Sequence, residues 1–335
     1  MPPHDESPPQ DDSLPGDQVS PRRRTLILVH GGGYKPTQAA LEVLWRDALA
    51  AGLDRDFAAA GGRGLLDAAT VKFVYYGDLV NPLCERTGQI TDLALDLEDR
   101  RGDLDRLARL SGHKKFRRVH YEALPGKSAL GELMADVAAP LTAIGLAPSF
   151  LSKRVPSLGQ YLADSDGVRE RCEARLLEVL VPALAGGDDV MLVSHGLGSV
   201  IGYDVLWRLT CDAELAAAVG SARVRSWITL GSPLASEFVK RRLRGAAAPV
   251  ASRHPNRMIN WYNVAAEDDY LCHDKTVSDD FAGLLKQHHL SRLRDYRIYN
   301  LAIRYGRSNP HNSVGYLIHP RVTRLLADWL MEEGT

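Results

Sequence analysis

Residues Asp189 to Tyr203 read Asp-Val-Met-Leu-Val-Ser-His-Gly-Leu-Gly-Ser-Val-Ile-Gly-Tyr, an apolar run broken by glycines that resumes at once in helical spacing. The first half is a strand apolar on both faces, and the second half starts a helix with no loop between them. A strand that feeds a helix this abruptly belongs to a parallel sheet, because parallel neighbours must be joined by a crossover element. That single segment excludes most all-helical and antiparallel architectures.

The same alternation recurs along the chain. Thr25 to Val29 is a short β-rich run ending at His30-Gly31-Gly32-Gly33. A helix follows from about Pro36 to Phe57, with proline in its first turn and Leu41, Leu44, Trp45, Ala48 and Leu49 at helical spacing. Val71 to Tyr76 is the next strand, closed by Gly77-Asp78. A helix from about Gly167 to Leu184 precedes the central strand. Arg225 to Leu230, Met258 to Val264 and Tyr296 to Ile303 supply three more strands, and Pro320 to Leu330 a last helix. The predicted fold class is α/β, a mostly parallel, doubly wound sheet of at least six strands with helices on both faces.

The stretch from 79 to 166 is too long for an ordinary connection and reads as a helical insertion. Thr91 to Leu110 is charged and helical. Ser128 to Leu146 places Leu130, Leu133, Val137, Leu141 and Ile144 on one side, with Pro140 bending it. Residues 1–24 are rich in Pro, Asp, Ser and Gln and are expected to form a disordered leader. The expected plan is therefore that leader followed by one domain, 25–335, interrupted by the insertion.

Composition narrows the partners. The chain has 335 residues, 45% of them apolar, enough for a large core. Its 41 Lys and Arg nearly balance 42 Asp and Glu, so no long-range field points to nucleic acid. No run approaches the roughly 18 apolar residues of a membrane span. Cys84, Cys172, Cys211 and Cys272 stand apart, which argues against a disulfide framework and fits a reducing, cytoplasmic setting. With neither a dinucleotide fingerprint nor a metal-ligand cluster, no cofactor and no metal are expected.

Ligands of such a sheet meet the carboxyl ends of its strands. Four features fall there: His30 to Gly33, the turn at Gly196, Glu267-Asp268-Asp269, and Asn309-Pro310-His311-Asn312. Turn, elbow, acid and histidine follow in the order used by α/β-hydrolases, and the chain resembles that superfamily on its esterase and lipase side over about Thr25 to Leu330. The resemblance implies a small-molecule acyl substrate and a lid role for the insertion. It implies an oxyanion site built from backbone N–H groups of Gly31, Gly32 and Leu197. It implies His311 as base and Asp269 as the acid that orients it, with Asp268 a close competitor. The other histidines, among them His113, His120, His254, His288 and His289, read as surface or core residues.

The superfamily's elbow is small-x-Ser-x-Gly, and here the nucleophile position holds Gly196. Taking Ser194 as nucleophile would put Leu192 where a small residue is needed, and Ser199 would put Leu197 and Ile201 at the flanks. The Gly196 register leaves Ser194 and Gly198 as the small flanks and is preferred. The expected function is that of a hydrolase scaffold for carboxylic esters, thioesters or amides, inactive or strongly impaired by the covalent route. An engineered replacement, a natural non-catalytic protein that binds a ligand or partner, and an enzyme using water activated by His311 all remain open. The basic run His113-Lys114-Lys115-Phe116-Arg117-Arg118 is more simply a solvated face than a working surface.

Overall fold

Six strands run parallel in one sheet: β1 (Arg24–Val29), β2 (Ala69–Val74), β3 (Asp189–His195), β4 (Val224–Leu230), β5 (Met258–Ala266) and β6 (Arg292–Ile298). Their order across the sheet is β2-β1-β3-β4-β5-β6. These features come from a computed structural model, which describes residues 22–86, 92–110, 116–126, 155–272, 276–287 and 289–332. Most of the expected leader, the Ser128–Leu146 helix, His288 and His113 to Lys115 of the basic run lie outside the described residues.

The strands read as continuous apolar runs because both faces of the sheet are covered. Alternate residues enter two separate cores. Ile27, Val29, Val190, Leu192 and Trp227 face one. Leu26, Leu28, Met191, Val193 and Ile228 face the other. The second core is closed by α1 (Gln38–Phe57), with α3 (Leu93–Ala108), α11 (Ser313–Leu317) and α12 (Pro320–Met331) packed around it. The first is closed by α2 (Gly77–Arg86), α5 (Pro156–Ala163), α6 (Val168–Ala185), α7 (Leu197–Cys211) and α8 (Ala213–Val219). The short helices α4 (Arg118–Glu122), α9 (Glu237–Lys240) and α10 (Ala282–Lys286) complete the set used below. Among the described residues no helix is long and apolar enough to cross a membrane.

The strand order decides where a ligand goes. From β1 the chain crosses by α1 to β2 at one edge, whereas from β3 it crosses by α7 towards β4 on the other side. The two crossovers leave neighbouring strands in opposite directions and on opposite faces, which opens a crevice at their carboxyl ends. The turn at residues 30–33 and Gly196 form the two lips of that crevice.

Several boundaries differ from expectation; the strand expected at Val71 to Tyr76, for one, is β2 at Ala69–Val74. The last strand was expected at Tyr296 to Ile303, but β6 spans Arg292–Ile298. Its Arg-Leu-Arg-Asp start looks unlike a strand because an edge strand needs few inward apolar groups. Leu293 is buried, and Asp295 accepts from the N–H groups of Val277 and Ser278 and from Asn263 Nδ2. Residues Ile303–Arg304 instead pair antiparallel with Arg307–Ser308 in a small hairpin, turned by Tyr305 and Gly306 at positive φ. Within 79–166, the described segments are helical. α2 begins at Gly77, directly after β2, while α5 packs on α2 and α3 on α1.

Candidate active site

Gly196 sits between β3 and α7 with φ 51° and ψ −119°, a conformation that any side chain would make strained. Its N–H donates to the Leu230 carbonyl at 2.9 Å, pinning the turn to the neighbouring strand. A Cβ at this position would lie 3.1 Å from His311 Nε2 and 3.3 Å from Cε1. Residue 196 therefore aims straight at the imidazole. Ser194 and Ser199 are fully buried beneath the turn, with Ser194 Oγ accepting from Trp227 Nε1 at 2.9 Å. Their hydroxyls serve the packing of α7 on the sheet.

His311 lies in the loop before α11. Asn300 shapes that loop, donating from Nδ2 to the carbonyls of Pro310 and Asn312, both at 2.9 Å. The Nδ1–H of His311 reaches the Asp269 carboxylate at 2.9 and 3.1 Å. Because a carboxylate only accepts, the neutral ring carries its proton on Nδ1 and leaves Nε2 as an acceptor. Among the described residues no group hydrogen-bonds to Nε2. Asp269 is wholly buried and also accepts from Tyr316 Oη at 2.7 Å and from the Leu271 N–H at 3.1 Å. Burial alone would push this carboxyl up, but the His311 charge and these donors together hold it down at about 2. Asp268 points elsewhere, at positive φ, and accepts from Tyr121 Oη.

The glycine turn is held from below. His30 is fully buried, stacked on Tyr76, and Nδ1–H donates to the Gly31 carbonyl while Nε2 accepts from the Tyr76 N–H. Burial, aided by the Lys35 charge, lowers this imidazole to about 3, so it is a neutral brace for the turn. The Lys35 ammonium donates to the carbonyls of Gly32 and Gly33. Ser157 Oγ takes the Gly33 N–H at 3.0 Å. The N–H groups of Gly32 and Leu197 meet no acceptor among the described residues. A Cβ on Gly31 would lie 2.5 Å from His195 Nδ1, so only glycine fits between this turn and the elbow.

Sequence reasoning missed His195, Tyr316, Asn300 and Lys35. His195 donates from Nε2 to the His311 carbonyl at 3.0 Å, and its ring lies 4.5 Å from that of His311. Burial first, then the His311 charge, holds it well below the usual imidazole range. Its place immediately before Gly196 was the one available signal. The others come from elements that periodicity marks only as core or loop.

Over these groups lies a cavity of about 370 Å³, lined by Gly31 to Gly33, His195, His311 and Trp45 among others. Arg100 of α3 and Val155, just before α5, also line it, so described parts of the expected insertion reach this space. No cluster of His, Cys, Asp or Glu suited to a metal ion occurs among the described residues. Comparisons of the chain with known protein families, curated proteins and solved structures return no match.

Proposed function

We propose that the chain is an α/β-hydrolase-type protein whose cavity receives a small ester, thioester or amide, and that Gly196 stands where the attacking serine would be. One observation carries this reading: residue 196 aims at Nε2 of a histidine whose other nitrogen is bound to a buried carboxylate. His311 would take a proton from a nucleophile at that spot and return it to the leaving group, while Asp269 keeps the ring in the required tautomer. The N–H groups of Gly32 and Leu197 would stabilise the developing oxyanion. Without a side-chain oxygen at residue 196, no acyl-enzyme forms there and covalent turnover falls by a factor on the order of 10⁶.

Gly196→Ser tests the reading. The variant should become labelled by a fluorophosphonate probe at residue 196 and hydrolyse p-nitrophenyl acetate on the order of 10²-fold faster than the parent chain. Adding His311→Ala should abolish both gains. A folded Gly196→Ser protein that takes no label would overturn the proposal.

A second reading is favoured by the unengaged Nε2 of His311: the dyad activates a water molecule directly. The parent chain would then hydrolyse p-nitrophenyl acetate slowly, without labelling, and His311→Gln would remove that activity.

A further inference from the structure

The cavity carries a charge imbalance that the dyad does not use. Its charged lining side chains among the described residues are Lys35, Arg100 and Arg304, all cationic. They come from the glycine turn, from α3 and from the small hairpin. Arg100 Nε donates to Asp96 Oδ2 at 2.8 Å, and Arg304 pairs with the other oxygen of the same carboxylate. One carboxylate thus serves two guanidinium groups. Among the described residues the Lys35 ammonium hydrogen-bonds only to the carbonyls of Gly32 and Gly33. Asp96 is 0% exposed, Arg100 6% and Lys35 9%, whereas the Arg304 side chain is 27% exposed, so two of the three cations are removed from water. Arg304 Nε is buried with no hydrogen-bond partner among the described residues.

Buried charge left uncompensated is costly, and planar guanidinium groups in pairs suit an anionic oxygen group. We propose that the compound bound in this cavity carries a carboxylate or phosphoryl group, seated on Lys35, Arg100 and Arg304. The proposal rests on the acyl-site reading for the rest of the molecule and names its substrate class. Consistent with it, burial and then the Arg100 and Arg304 charges lower the Lys35 ammonium to about 7, with Asp96 pulling the other way. An anion at this spot would restore its full charge.

The test is equilibrium binding to the parent protein, read by calorimetry and by quenching of tryptophan fluorescence, since Trp45 lines the cavity. Monomethyl succinate and methyl phosphate are compared with the neutral dimethyl succinate. At least one anion should bind 10-fold or more tighter than the neutral diester and lose that advantage in Arg304→Gln and in Lys35→Met. Which anion prevails separates a carboxylate from a phosphoryl substrate. Equal binding of all three to the parent chain would overturn the proposal, and this arm needs no variant to fold. The acyl-site reading fails separately. An anion preference without labelling of Gly196→Ser would sink only the hydrolase assignment, whereas labelling without an anion preference would sink only this inference.

Discussion

At residue 269 a buried carboxylate is kept ionised by three donors rather than one. His311 Nδ1, Tyr316 Oη and the Leu271 N–H all point at it. Tyr316 does double duty, because its oxygen also accepts from the Ala266 N–H at 2.8 Å at the end of β5. Removing that hydroxyl leaves a buried N–H without a partner and weakens the hold on Asp269. Tyr316→Phe should therefore lower stability by about 1–3 kcal/mol, measured by urea unfolding at pH 7. It should also move the acid limb of unfolding upwards. Asp269 sits below its unfolded value of 3.8, so its contribution is present above that pH and is lost as pH falls towards about 2. A variant as stable as the parent would mean that Tyr316 contributes only packing. A serine introduced at residue 196 faces the opposite balance. It gains a nucleophile but accepts backbone strain of about 1–3 kcal/mol at φ 51°.

At the scale of elements, α7 is what aims the elbow, and an ionic network holds it. Asp204 on α7 accepts from Arg169 of α6 at 2.8 Å, from Tyr161 of α5 at 2.8 Å and from the Arg244 N–H at 2.8 Å. Glu173 of α6 binds Arg244 at 2.6 Å and Arg208 of α7 at 3.1 Å. Both carboxylates are 0% exposed. Replacing such a pair with apolar groups is often neutral, but deleting one partner strands the other. Asp204→Ala should cost about 3–5 kcal/mol by leaving Arg169 without its closest carboxylate. Asp204→Asn, which keeps an acceptor, should cost less in the same urea experiment. If the two variants proved equal, hydrogen-bond acceptance at residue 204 would have no part in fixing α7 beyond the lost charge.

For the whole molecule, buried neutral histidines set the response to acid. His30 is lowered to about 3 mainly by burial and then by Lys35. His319, which caps α12 by accepting from the Arg321 N–H, is lowered to about 3 by burial and the Arg55 and Arg321 charges. The unfolded chain takes protons on these rings below about 6.5, whereas the folded chain does not. Stability is thus full above that value and is lost progressively as pH falls towards 3, at about 2 kcal/mol per ring by pH 5. Asp204, pushed up to about 6 by burial, acts in the opposite sense and offsets about 1 kcal/mol at pH 5. His319→Asn preserves a capping oxygen and removes one titrating ring, so its stability loss between pH 7 and pH 5 should be smaller than that of the parent by about 2 kcal/mol. Identical slopes for the two proteins would count against this account.

Local pattern was enough to reveal β1 to β5, the helices that cross between them and the abrupt turn at Gly196. Each depends on apolar spacing and turn residues within a dozen positions, which act on the backbone before any distant contact forms. The start of β6 was hidden because an edge strand with one partner needs little apolar content and uses Asp295 as an acceptor. The choice between Asp268 and Asp269 was hidden for another reason. Adjacent residues differ in side-chain direction, and here a positive φ at Asp268 turns its carboxylate to Tyr121 and leaves Asp269 to His311. His195 and Tyr316 look like core residues in sequence and become neighbours of the dyad only through packing. The gathering of Lys35, Arg100 and Arg304 into one cavity had no signature at all, since their spacing along the chain carries no period. Sequence alone determined β1 to β5, the helices that cross between them and where the turn at Gly196 falls. Which side chains meet above it was decided by the tertiary structure, because convergence depends on strand order and register across hundreds of residues, and those are set only when both cores close.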